Sequence, residues 1–247
     1  MMLTRDDGGF IQRALELAGR GEGHTRPNPP VGAVVVKNGK IIGEGWHRRC
    51  GGDHAEVAAI KDALRNLKAP KPQGLEACTL YVTLEPCSKP GRVGACTDAI
   101  IAAGVKRVVY LVSDPNPKNR GKAKRALAKH GIDCVKVCRR TCEEKAWDYC
   151  LGLKPLVECG SRMIAPFAKH VTTGLPFVTV KLAMSLDGKI CDDRGMPGGF
   201  PMLIRARAPD GNGRVSMQSW SAPRPSAGTI PRSFRTTSAM TTSSASS

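Results

Sequence analysis

Residues 78–112 read CTLYVTLEPCSKPGRVGACTDAIIAAGVKRVVYLV. The unbroken apolar run CTLYVTL is the pattern of a buried strand, and KRVVYLV repeats it. Between them CTDAIIAA reads as a helix, ended by Gly104. Working outward, RGKAKRALAKHG is a basic helix and IDCVKV a short strand. On the other side, residues 53–64, DHAEVAAIKDAL, form an amphipathic helix. Before it, VGAVVV and KIIGEGW flank Asn38-Gly39, a strong hairpin signal. Phe10, Ile11, Ala14, Leu15 and Ala18 recur at helical spacing until GRGEG stops the pattern, and RPNPP follows as a rigid loop. Strands alternating with helices predict an α/β fold over residues 5–138, three layers with a mixed sheet between helices.

The chain has 247 residues, 41% of them hydrophobic but only 4% aromatic, and a formal net charge of +17. Such a charge suits nucleic acid, a phosphorylated substrate or a basic tail, and decides nothing alone. The N-terminus MMLTRDDGGF has no apolar core of a secretory signal, and no stretch approaches the roughly 20 apolar residues of a membrane helix. A cytoplasmic protein without a membrane partner is expected. Its ten cysteines then read as thiols or metal ligands rather than disulfides.

Beyond residue 138 the pattern weakens. Residues 139–172 read as a connection, with a helix in RRTCEEKAWDYCLGLKPLVECG of no assigned role. Residues 173–195, with PFVTVKLAMSLDGKI, look like the opening of a second domain. Residues 196–247 are rich in Gly, Pro, Ser, Thr and Arg, with six arginines and one acid, and on composition are expected to be disordered.

Chemistry concentrates in His54-Ala55-Glu56, Pro86-Cys87 and Cys96. For residues 53–64 alone a capping box suffices, with Asp53 as N-cap and Glu56 closing it, but that motif has no use for His54. Histidine and thiolates are natural zinc ligands, and three of them leave a fourth position for water, whose pKa the ion lowers. Glu56, two residues from His54, is placed to move the water's proton. Zinc nucleobase deaminases carry His-x-Glu followed by Pro-Cys-x-x-Cys. Here eight residues separate the two cysteines.

The long spacing is itself informative. TLEPCSKPGRVGAC resembles the deaminase domain of the bacterial bifunctional riboflavin-biosynthesis enzymes, which join a diaminohydroxyphosphoribosylaminopyrimidine deaminase to a reductase. The resemblance extends through RPNPPVGAVVVKNGKIIGEGWH, HAEV, YVTLEPCS, CTDAIIAAGVKRVV and DPNP, about residues 8 to 135. It implies a cytidine-deaminase-like fold with His54, Cys87 and Cys96 as zinc ligands and Glu56 as proton shuttle. It further implies Asn28 and His47 as contacts to the pyrimidine and Arg92 as a contact to the ribose phosphate. Lys89-Pro90 stand where many members have a His and an aromatic residue or second His. TTGLPFVTVKLAMSLDGKI looks like the join to the reductase, where Lys181, Ser185 and Asp187 match the entry strand of the family's NADPH-binding domain. The implied activity is hydrolytic deamination of 2,5-diamino-6-(5-phosphoribosylamino)pyrimidin-4(3H)-one, a phosphorylated small-molecule substrate, by a zinc-dependent homo-oligomer.

Three alternatives bear on these expectations. A nucleic-acid base deaminase fits the charge, but would carry Pro-Cys-x-x-Cys and stacking aromatics. An inactive remnant of a broken gene is the second. Back-translated from Met217 and read two nucleotides further on, synonymous codons permit A-I-M-V-G-A-A-T-V-R-R-D-D-P, which resembles the reductase segment VGAGTVRADDP. Residues after about Met196 are therefore expected to be an out-of-frame continuation, with the reductase lost. Third, Cys134, Cys138 and Cys142 recur every four residues beside His130; a second metal site there needs a helix, and IDCVKV reads as a strand.

Overall fold

Asn38 and Gly39 both sit at positive φ, 50° and 72°, the conformation of a two-residue type I′ turn. They join β1 (Gly32–Lys37) to β2 (Lys40–Trp46) as an antiparallel hairpin with Lys37 opposite Lys40. The computed structural model describes residues 3, 6–68, 74–89, 94–138, 147–180, 204–209 and 215–220, in two units, residues 1–174 and 175–247.

In the first unit β1 also pairs antiparallel with β3 (Cys78–Leu84). From there the sheet turns parallel: β3 pairs with β4 (Arg107–Val112), and β4 with β5 (Asp133–Lys136). The order is β2-β1-β3-β4-β5. Parallel neighbours need a crossover, supplied by α3 (Cys96–Ala103) and α4 (Lys122–Ala128).

The period of two along each strand divides the core. Val35, Leu80, Val82, Val108 and Cys134 pack with Ala59, Ile60 and Ala63 of α2 (Ala55–Asn66), Ile100 of α3 and Leu127 of α4. Their alternates Val34, Tyr81, Val109, Leu111 and Val135 pack with Ile11, Leu15 and Leu17 of α1 (Asp7–Gly19) and Leu153 of α5 (Trp147–Met163). The result is the expected three-layer α/β fold with a mixed sheet. The stretch without an assigned role thus contributes α5, which shares a sheet face with α1. Gly160 lets it approach closely, since a Cβ there would lie 2.9 Å from Leu111 Cδ2. α6 (Ala165–Thr173) follows and ends at Gly174.

Two glycines decide where α2 lies. A Cβ on Gly43 would come within 2.5 Å of Ala59 O, and one on Gly45 within 2.3 Å of Ala59 N. Against them α2 presents Ala55, Ala59 and Ala63, all fully buried. The helix backbone therefore rests directly on β2, which fixes the position of its first residue.

The local reading of residues 53–56 is not realised. The capping box of residues 53–56 does not form: the N-cap of α2 is His54, with no side-chain cap hydrogen bond. The Asp53 carboxylate pairs instead with Lys61 Nζ at 2.7 Å, and Glu56 is buried. In the second unit, strands β6 (Ile204–Pro209) and β7 (Val215–Trp220) pair antiparallel; the other residues of 196–247 lie outside the described residues. Residues 175–180 form no strand; Lys181, Ser185 and Asp187 lie outside the described residues. Cys134 lies in β5, so the every-fourth-residue spacing with Cys138 is not a helical face; Cys142 lies outside the described residues.

Candidate metal centre and its pocket

Three elements end at one point. β3 runs out at Leu84 into Glu85-Pro86-Cys87, α2 begins after His54, and α3 begins with Cys96. Two helix N-termini thus face the end of a strand, and their unpaired N–H groups and dipoles favour negative charge there. The Cys96 N–H donates to Cys87 Sγ at 3.3 Å.

His54 turns Nδ1 towards both sulfurs, 3.1 Å from Cys96 Sγ and 3.6 Å from Cys87 Sγ. The three donor atoms lie within 4.8 Å of one another. Nitrogen and sulfur ligands on a zinc tetrahedron sit roughly 3.5–3.8 Å apart, so this donor set suits zinc with little movement. Among the described residues no other His, Cys, Asp or Glu joins the group. Three protein ligands with a fourth position free are the arrangement of catalytic rather than structural zinc. Cys87 is pushed down to about 4 by its contacts with Cys96 and His54, while Cys96, hydrogen-bonded to Cys87 and buried, is pushed up. His54 is raised, chiefly by its contact with Cys87.

Glu56, in the first turn of α2, is 4% exposed. Burial, reinforced by the charge of Cys87, pushes its carboxyl up from the ordinary range. A carboxyl whose protonated form is favoured in this way suits a group that takes and returns a proton. It lines a cavity of about 240 Å³ beside His54 and Cys87.

Asn28 and His47 line the same cavity, the His47 ring edge-on to that of His54 with centroids 5.3 Å apart. Asp53 O only accepts, so His47 Nδ1 carries the hydrogen in that 2.9 Å contact. Nε2 of the neutral ring is then free to accept from Asn28 Nδ2 at 3.1 Å. Burial lowers the His47 pKa, which keeps this tautomer neutral. With Nδ2 committed, Asn28 keeps Oδ1 as an acceptor. Arg92 and Pro90 lie outside the described residues, and Lys89 is exposed.

The structure adds wall residues to which the sequence assigns no role: Glu85, Asp114, Asn116 and Phe167. The first three fall in LEPC and DPNP, segments that carry the resemblance, and so had a signal. Phe167 comes from α6, in a stretch read only as a connection, and had none.

Residues 4–112 match the family described as the cytidine and deoxycytidylate deaminase zinc-binding region, so this segment is similar to the class of zinc-binding deaminase domains. Within it, the chain is 41% identical over 189 residues to the riboflavin biosynthesis protein RibD of Aquifex aeolicus, covering 76% of this chain and 46% of the relative. It is 42% identical over 180 residues to the Escherichia coli RibD, covering 73% and 42%. A solved Thermotoga maritima structure, a diaminohydroxyphosphoribosylaminopyrimidine deaminase/5-amino-6-(5-phosphoribosylamino)uracil reductase, is 41% identical with a TM-score of 0.64, covering 78% of this chain and 49% of that one. Over about three quarters of its length this chain is similar to RibD proteins. It spans less than half the length of these relatives.

Proposed function

We propose that this chain hydrolyses the 2-amino group of 2,5-diamino-6-(5-phosphoribosylamino)pyrimidin-4(3H)-one, giving 5-amino-6-(5-phosphoribosylamino)uracil and ammonia. The observation that carries this reading is the place of Glu56, buried, two residues from His54 and lining the same cavity as Asn28 and His47. His54, Cys87 and Cys96 would hold zinc, which would supply the Lewis acidity that makes water a nucleophile near neutral pH. Glu56 takes the water's proton and delivers it to the departing nitrogen. A carbon–oxygen bond forms, the exocyclic carbon–nitrogen bond breaks, and the proton count closes on ammonia. Asn28 Oδ1, oriented through His47, accepts from the pyrimidine, and Arg92 pairs with the ribose phosphate.

The substrate class is supported by the name of the Thermotoga maritima relative. The reductase named beside it is not extended to this chain. Residues after about Met196 are proposed to be an out-of-frame continuation; an uninterrupted reading frame through this region of the gene sinks that idea. A homo-oligomer is expected, as the resemblance implies, and sedimentation measures it. No described helix is long and apolar enough to cross a membrane; a cytoplasmic placement is proposed, and cell fractionation checks it.

The deciding experiment is ammonia release from that ribotide by zinc-loaded protein, with Glu56→Gln and a chelator as controls. Release abolished by both supports the proposal. No release from folded, zinc-loaded protein overturns it, and cytosine- and adenine-containing strands then test the nucleic-acid alternative against an inactive remnant.

A further inference from the structure

Cys87 lies in a turn whose two flanks are held by one side chain. Asn119, only 7% exposed, accepts on Oδ1 from the Ser88 N–H at 2.8 Å and from the Ser88 hydroxyl at 3.0 Å. Its Nδ2 donates to Asp114 Oδ2 at 2.9 Å and lies 3.4 Å from the Pro86 carbonyl oxygen. These contacts bracket Cys87 on both sides. The amide orientation follows from chemistry, because carboxylate and carbonyl only accept and the backbone N–H only donates.

Asp114 is itself fixed. Its Oδ1 accepts from the Asn116 N–H at 2.8 Å, and its own N–H donates to Glu85 Oε2 at 3.2 Å. The chain Asp114–Asn119–Ser88 therefore ties the loop after β4 to the turn after β3, where one of the two converging sulfurs sits. His54 is the N-cap of α2 and Cys96 the first residue of α3, both helices backed by the core. Cys87 has no helix beneath it.

We propose that Asn119 is a positioning residue of the metal centre, clamping the Pro86–Ser88 turn so that Cys87 Sγ meets His54 Nδ1 and Cys96 Sγ. Outer contacts of this kind orient ligands, and their loss typically weakens metal binding about 10–100-fold. The inference rests on the reading of His54, Cys87 and Cys96 as the metal set, but not on the identity of the substrate.

The test measures zinc affinity by competition with a chelator of known strength, and the absorption bands of the cobalt-substituted protein. Asn119→Ala is expected to weaken zinc binding at least 10-fold and shift the cobalt bands, while the melting temperature of the metal-free protein changes little. Asn119→Asp is expected to do at least as much harm, because it sets a second carboxylate against Asp114. Combining Asn119→Asp with Asp114→Asn exchanges donor and acceptor across that contact and leaves the Ser88 acceptor in place. It is expected to recover most of the affinity. Unchanged affinity and bands in Asn119→Ala overturn the proposal, as does a double variant no better than Asn119→Asp. Should Asn119→Ala fail to fold, the exchanged pair still decides. None of these readouts uses substrate, so absent ammonia release would count against the proposed function alone.

Discussion

His47 Nε2 accepts from Asn28 Nδ2 at 3.1 Å, while Nδ1 donates to the carbonyl of Asp53, the residue that precedes metal-facing His54. The imidazole thus links the loop at Asn28 to the start of α2. Removing it leaves the Asn28 amide free to rotate and the Asp53 carbonyl short of a donor. His47→Ala is expected to raise KM for the ribotide about 10-fold, the effect of roughly one lost hydrogen bond near a polar ligand, with a smaller change in kcat. Asn28→Ala is expected to raise KM comparably, and the double variant to cost less than the sum, because the two act as a unit. Additive effects would show that the residues contact substrate independently.

Gly45 lies directly beneath the first turns of α2. A methyl group there would stand 2.3 Å from Ala59 N and 2.5 Å from Ala55 O, both backbone atoms that cannot swing aside. Gly45→Ala is expected to lower stability by about 1–3 kcal/mol, the range for overpacked cores, and to displace His54 enough to weaken zinc binding. Thermal unfolding and chelator competition on one sample read both effects. Gly39→Ala makes a useful contrast: its Cβ would meet nothing within 4 Å, and only the φ of 72° resists it. Zinc affinity is expected to survive that change.

The layered sheet was legible because its signals are local. Apolar strands, Asn38-Gly39 and Gly104 each specify their own neighbourhood, and the structure assembles them as read. The convergence of His54, Cys87 and Cys96 was legible through motif, since strand-end and helix-start residues meet at one edge of an α/β sheet. The wall from Phe167 was not, because α6 is placed by tertiary packing rather than by any pattern near the motif. The capping box failed for a related reason: Asp53 and Glu56 satisfy the motif locally, yet burial claims the Glu56 carboxyl and Lys61 claims that of Asp53. Competition from elsewhere in the fold leaves no mark in four residues.

Metal removal has a residue-resolved consequence. Cys87 is partly exposed, whereas Cys96 is fully buried. Cys87 also accepts the Cys96 N–H, which favours its thiolate, the form that alkylates. Chelated protein is expected to take up iodoacetamide first at Cys87 and then, more slowly, at Cys96; zinc loading is expected to protect both. Peptide mapping by mass spectrometry reads the order. Equal rates with and without zinc would remove both cysteines from the metal set.

Cys134 in β5 gives an alkaline signature separate from the metal centre. Burial pushes its thiol from 9.0 up to about 12. Because the folded value lies above the unfolded one, the unfolded chain loses the proton first as pH rises. The contribution to stability is complete below pH 9 and is lost progressively towards pH 12. Tyr110, on the neighbouring strand and raised from 10.0 to about 12 mainly by burial, acts in the same direction over a narrower window. The melting temperature is thus expected to fall between pH 9 and 11, and Cys134→Val, which keeps the apolar packing without a titrating group, to fall less steeply. Parallel slopes for the two proteins would show that the Cys134 thiol ionises in the fold as easily as in the unfolded chain.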